Sequence, residues 1–216
     1  MSLAPSSAEV EKAAARLVAA LKTSGLILSH DTDLPSATTL IAGAAVRGSW
    51  WGHPKGKLIY AVLSGLEGDV TWVKLVKGKD TIVHRRLWPA LISAGRSRQS
   101  WQTDGLGDDA RAVLARIDEQ ADPLRSEEIE LLPGSRKLGA IVTDLERRLL
   151  LHADSLHTES GQHTRVLETW SRFRKNAGIL ARELPKVGAA LETLAGCVRR
   201  ALGRSDVSRL LPWKPG

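Results

Sequence analysis

Cysteine is nearly missing from this 216-residue sequence: Cys197 stands alone. No internal disulfide can form, and the helically spaced apolar neighbours Leu194, Val198 and Ala201 mark Cys197 as a buried thiol suited to a reducing compartment. No C-x-x-C pair, Cys/His zinc spacing or H-E-x-x-H pattern occurs, so no metal site is expected. The absence of a P-loop, a dinucleotide fingerprint and a G-x-S-x-G elbow removes the usual phosphate cradles and the hydrolase nucleophile, and no cofactor is expected. No apolar stretch approaches the roughly 20 residues that span a bilayer, and residues 1–8 lack a basic segment leading into an apolar run. The expectation is therefore no membrane contact and a cytoplasmic location, at the nucleoid if the protein is bacterial.

With 43% hydrophobic residues the chain can close one large core or two small ones. Its net charge is +7, and the placement of that charge is informative. Residues 47–98 hold ten Lys or Arg against three acids, a local balance equal to that of the whole chain. Residues 99–164 are acidic, with seven basic against thirteen acidic side chains, and residues 165–214 are basic again, with eleven against four. Two cationic blocks around an anionic one point to a polyanionic partner, because clustered Lys and Arg gain by releasing condensed counterions; a solvated basic surface is the plainer alternative.

Periodicity divides the chain. Ser7 can cap a helix with Val10, Ala14, Leu17 and Leu21 on one face, ending near Ser24-Gly25, and Ser36 opens a second with Leu40, Ala44 and Val46 running to Gly48. Leu58, Ile59, Val62, Leu63 and Leu66 form a third stripe that stops at Gly68. The period then becomes two: Val70 to Val76 reads as a strand, Lys77-Gly78-Lys79-Asp80 as a turn and Thr81 to His84 as a second strand. Leu87, Leu91 and Ile92 start another helix, with Pro89 in its first turn.

Beyond Gly95 the pattern is helical throughout: Asp108 to Ala121, a long helix from Ser135 to Leu156, Gln162 to Asn176 and Val187 to Leu202. No repeat is evident. Ser205 to Gly216 reads as a loose tail in which Leu210, Leu211 and Trp213 could dock. The fold expected is mainly α with one small β-hairpin, an α+β class: a module over residues 7–98, a helical domain over residues 105–204 and a tail over residues 205–216.

Three helices followed by a hairpin, over Val10 to Ser97, resemble the winged-helix variant of helix-turn-helix proteins; Ser49 to Arg98 also resembles an uncharacterised bacterial family. The resemblance implies a nucleic-acid partner, with DNA expected ahead of RNA; the helical pattern of the second half points separately to an interaction domain that joins protomers into a homodimer or recruits a partner.

On that reading Ser49-Trp50-Trp51-Gly52-His53-Pro54-Lys55-Gly56-Lys57 covers the turn into helix three, where Lys55, Lys57 and the helix N-terminus face a phosphate. Trp50 and Trp51 either stack on bases or fill the core. Lys74, Lys77 and Lys79 sit on the hairpin, and Arg85 and Arg86 leave its second strand ready to grip a phosphate or a guanine edge.

The stretch with catalytic potential is His152 to His163, from which His157, Glu159 and His163 are the candidate acid and base residues. His152 and His157 lie about 140° apart on a helix of 3.6 residues per turn, too far for a shared metal; Asp154 and His157 could pair at helical spacing. The expected function is duplex DNA binding in regulation, DNA repair or chromosome maintenance. The alternative is a DNA glycosylase or lyase whose chemistry lies in residues 152–163, and the same grip could hold RNA instead.

Overall fold

A computed structural model describes the backbone of residues 4–66, 68–131, 133–157 and 163–214, with the side chains of all these except 155–157 and 163. Helix α1 (Ser7–Ser24) starts where Ser6 and Glu9 form a capping box and ends at Gly25, with Ala13, Leu17 and Leu21 buried at a spacing of four. Strand β1 (Leu26–Leu28) follows directly, then α2 (Ala37–Ala42), capped by the Ser36 side chain. Helix α2 stops six residues short of the expected Gly48, because the chain turns left-handed at Gly43.

A single 3-10 turn at Trp50–Gly52 leads into α3 (Gly56–Ser64). Strands β2 (Val70–Lys74) and β3 (Asp80–His84) then close an antiparallel sheet of order β1-β3-β2, with Leu26 opposite Val83 and Trp72 opposite Ile82.

The same succession of elements recurs. After α4 (Trp88–Arg96) and the short α5 (Ser100–Thr103), α6 (Asp108–Glu119) leads to β4 (Leu124–Arg125), a 3-10 turn at Ser126–Glu128, α7 (Leu138–Arg147), β5 (His152–His157) and β6 (His163–Glu168). The second sheet has the order β4-β6-β5, again with the third strand in the middle. Helices α8 (Trp170–Asn176) and α9 (Val187–Leu202) complete the chain.

The second half is thus α+β, where a helical bundle and a single hairpin were expected. The helix anticipated through Leu156 ends at Arg147, since Leu149 adopts a positive φ of 51° and the buried Leu149, Leu150 and Leu151 lead into β5. The helix anticipated from Gln162 begins at Trp170, capped by Thr169, because residues 163–168 pair with β5.

Three apolar clusters organise the molecule. One lies under α1, α2 and α3 and takes Ile82 from the sheet; one lies among α6, α7, β4 and β6; the third joins the first sheet to α4, α8, α9 and the C-terminal segment. In that shared core Leu26, Leu28, Val73 and Val83 meet α4, α8 and α9, so the first sheet is covered on both faces. Gly95 on α4 lets the Trp170 indole lie against the helix backbone: a Cβ there would come within 2.3 Å of the ring. Val207, Leu211 and Trp213 are buried in the same core, so the segment expected as a loose tail packs into the fold through residue 213.

The outer strands β2 and β5 face each other and are joined by a buried polar chain. His152 shares a 2.8 Å hydrogen bond with Thr71 Oγ1 through Nε2 and a 3.1 Å bond with Glu168 Oε1 through Nδ1, while Asn176 donates to the second Glu168 oxygen.

Candidate functional site

The residues singled out for nucleic-acid contact fall into three separate places. Lys55 and Lys57 lie at the start of α3, facing the N-terminal half of α1. With Lys12 and Arg16 they line a groove of about 550 Å³ in which Glu9 is the one acidic side chain. Lys55 also donates to the Ala42 carbonyl at 2.7 Å, which ties this loop to the end of α2. An ammonium has three donors, so the tie leaves it a charge facing the groove.

The hairpin cations lie elsewhere and are engaged by acids of the chain. Asp31, whose side chain is fully buried, accepts a 2.7 Å hydrogen bond from Lys79 and pairs with Lys77 at 3.5 Å. Burial alone would raise the Asp31 carboxyl, but Lys79 and the amides of Asp33 and Leu34 outweigh it and hold the group well below the usual carboxylate range. Lys74 pairs with Asp80 at 2.7 Å. The hairpin tip is packed as well: the Lys77 amide donates to the Leu210 carbonyl and Arg147 Nε to the Gly78 carbonyl.

Arg85 and Arg86 close helix ends. Arg85 donates to the carbonyl of Ala177, just past α8, and lies 5.3 Å from the Trp88 ring centre. Arg86 donates to the carbonyl of Thr23 in the last turn of α1. Thr23 is eleven positions from Lys12, about 16 Å along a helix at 1.5 Å per residue, so Arg86 is a helix length away from the α3 groove.

The two tryptophans differ in burial. Trp50 is half-buried against the core beneath α1 and α3; Trp51 stacks on it at 4.1 Å and is 66% exposed. Gly56 makes the arrangement possible, because a Cβ there would come within 2.9 Å of the Trp50 and Trp51 carbonyl oxygens.

Trp51 also borders Tyr60 at 5.6 Å, and both line a second cleft, of about 450 Å³, between the two halves of the chain. Its aromatic wall is Trp50, Trp51, Tyr60 and Trp72, and its other side carries Glu146, Asp154 and Arg165 from α7, β5 and β6. Glu146 accepts a 2.9 Å ion pair from Arg165, and burial raises its carboxyl above the ordinary value despite Arg165 and Lys74.

Lys12, Arg16, Tyr60 and the Glu146–Arg165 pair escape sequence reasoning. Lys12 and Arg16 belong to the polar face of an amphipathic helix, which reads as solvated surface. Tyr60 sits one turn after Lys57 on α3, and that spacing was its only signal.

Of the candidate catalytic residues, Glu159 lies outside the described residues. The backbone register sets His157 opposite His163 across β5 and β6, so pairing Asp154 with His157 by helical spacing does not apply to an extended strand. The Thr71–His152–Glu168 chain has the order of a hydroxyl, imidazole and carboxylate relay. It retains 5, 5 and 8% exposure, and the imidazole packs against Trp170 and Phe173, so the chain is closed off from solvent. Among the described residues no three His, Cys, Asp or Glu side chains come together as a metal site, and no helix is long and apolar enough to cross a membrane.

Comparison with protein-family models, curated proteins and solved structures returns no match for the chain.

Proposed function

We propose that the chain is a nucleic-acid-binding protein of winged-helix type, built from two such units in tandem. The support is the order helix, strand, helix, helix, strand, strand with the third strand central, present in residues 7–84 and, with a 3-10 turn as the second helix, in residues 108–168. The partner proposed is duplex DNA, held by the first unit.

The observation that carries the DNA reading is the groove where α3 begins, lined by the cations Lys12, Arg16, Lys55 and Lys57 together with Glu9. In a winged-helix dock the third helix enters the major groove and flanking cations hold phosphates. Here α3 offers Lys57, Tyr60 and Ser64 on its exposed face, with α1 supplying the flanking charge. The first hairpin takes no direct part, because its tip is bound to Asp31, Arg147 and residue 210.

The test is fluorescence anisotropy with a labelled duplex across a range of salt. Affinity should fall steeply with salt, and each of Lys12→Gln, Arg16→Gln and Lys57→Gln should lower the slope of log K against log salt by about 0.9 for a lost phosphate contact. Lys22→Gln, on the far end of α1, should leave the slope unchanged. Absent or salt-independent binding overturns the proposal.

A further inference from the structure

The two clefts share α3 as a wall. On one side its first turn borders the basic groove through Lys57; one turn later Tyr60 borders the aromatic cleft. Three residues at 1.5 Å each set them about 4.5 Å apart along the axis, roughly the span from a phosphate to the base it carries.

We propose that the aromatic cleft holds one unpaired nucleobase, stacked on Trp51 and Tyr60 with an amino-bearing edge toward the carboxylates of α7 and β5. This rests on the nucleic-acid reading above and names the form of nucleic acid that the site favours.

Three features select this occupant. First, Trp51 and Tyr60 are the aromatic residues left largely in water, at 66 and 45% exposure, whereas Trp88, Trp170 and Phe173 are buried. Flat rings standing in solvent beside cations are what base stacking requires. Second, the polar side of the cleft is unsuited to phosphate: Asp80, Glu146 and Asp154 line it, and Arg165 is already engaged by Glu146. Third, it is equally unsuited to an organic cation, because the Arg165 guanidinium shares the space and pairs with Glu146, and Asp80 is already paired with Lys74 at 2.7 Å. A neutral ring whose edge donates hydrogen bonds to carboxylate oxygens satisfies both conditions. Adenine, cytosine and guanine carry such an amino group and thymine does not. The volume, about 450 Å³, falls within the range of small-ligand sites.

The experiment uses the full chain and three duplexes alike except at one position: fully paired, with one unpaired adenine, or with one unpaired thymine. The unpaired adenine should raise affinity roughly tenfold over the paired duplex, with thymine giving less. Trp51→Ala should abolish the adenine advantage and Trp51→Phe should keep part of it; at 66% exposure neither change disturbs the core. Lys57→Gln should weaken all three duplexes together and leave the advantage intact. Equal weakening of all three by Trp51→Ala would overturn the base cleft while leaving the nucleic-acid reading in place.

A second arm separates the base from its strand. Adenosine and cytidine, but not thymidine, should quench the tryptophan emission of the wild-type chain, and Trp51→Ala should remove the effect. If no duplex binds, the nucleic-acid reading fails, and the nucleoside titration alone decides the cleft. No quenching, or quenching by tetramethylammonium in place of the nucleosides, overturns it.

Discussion

The two units share an order of elements and use their charge in opposite ways. In the first, α3 leaves Lys57 and Tyr60 on an open face, and Lys12 and Arg16 of α1 stand beside it. In the second, Arg136, Arg147 and Arg148 at the two ends of α7 are spent within the chain. Arg136 pairs with Asp109 and Asp144, and the nearby guanidinium pulls the Asp109 carboxyl down to about 2. Arg148 pairs with Asp144, and Arg147 reaches across to the Gly78 carbonyl of the first hairpin. The exposed positions that remain on α7 include Gly139 and Ala140, which offer no polar contact. One succession of helices and strands thus leaves cations exposed around α3 and turns arginines inward around α7.

The joint between the units is where the comparison can be broken with the largest effect. His152→Ala would leave the Glu168 carboxylate and the Thr71 hydroxyl buried without their shared partner, a loss of about 3–5 kcal/mol. Because Thr71 belongs to β2 and His152 to β5, urea denaturation should show one cooperative transition moved to lower denaturant. Separate transitions, with the first unit unaffected, would show that the second unit does not support it.

Next in size is the anchor of the first hairpin. Asp31→Asn should cost on the order of 2–3 kcal/mol, since it weakens hydrogen bonds to a charged and buried group. The Asp31 carboxyl is held low when folded, so its contribution is fully present above the unfolded value near 4 and is lost as the pH falls below it. Denaturation at neutral and acid pH should therefore show the gap between wild type and Asp31→Asn closing on acidification. A gap that persists in acid would mean that packing, and not the ion pair, holds the tip.

How much of this was legible in the sequence depended on whether the signal was local. The four-residue spacing of Leu17 and Leu21 announces α1, although its cap is Ser6 and not the expected Ser7, and the alternation of Val70, Trp72 and Lys74 with a Gly-containing turn announces the first hairpin. The second hairpin stayed hidden: β5 contains no β-branched residue, and Leu145, Leu149 and Leu156 fall at spacings that continue a helical stripe past the turn. The groove at Lys55 and Lys57 was legible because its loop is short and rich in Gly and Pro. The fates of Lys77, Lys79, Arg85 and Arg86 were not, because Asp31 lies more than forty residues from the lysines and the Ala177 carbonyl 92 residues from Arg85. A run of cations states how much charge is present; only tertiary structure shows whether an internal acceptor has taken it.

The smallest effect sharpens the contrast by its sign. Glu146 has a carboxyl raised by burial, the reverse of Asp31, with Arg165 and Lys74 offsetting part of that cost. A raised carboxyl means that the folded chain favours the protonated form. Ionised Glu146 therefore costs stability above its folded value, and the cost vanishes below its unfolded value near 4.3. Glu146→Gln, which cannot ionise, should be more stable than wild type at neutral pH by less than about 1 kcal/mol, since Arg165 loses its partner in exchange. The difference should shrink as the pH falls toward 4, in thermal denaturation across that range. A Gln variant less stable than wild type at neutral pH would show the ion pair to be a structural brace like that at Asp31. A more stable one would mark Glu146 as an ionised group kept in the cleft against the interest of the fold, as groups that meet a ligand commonly are.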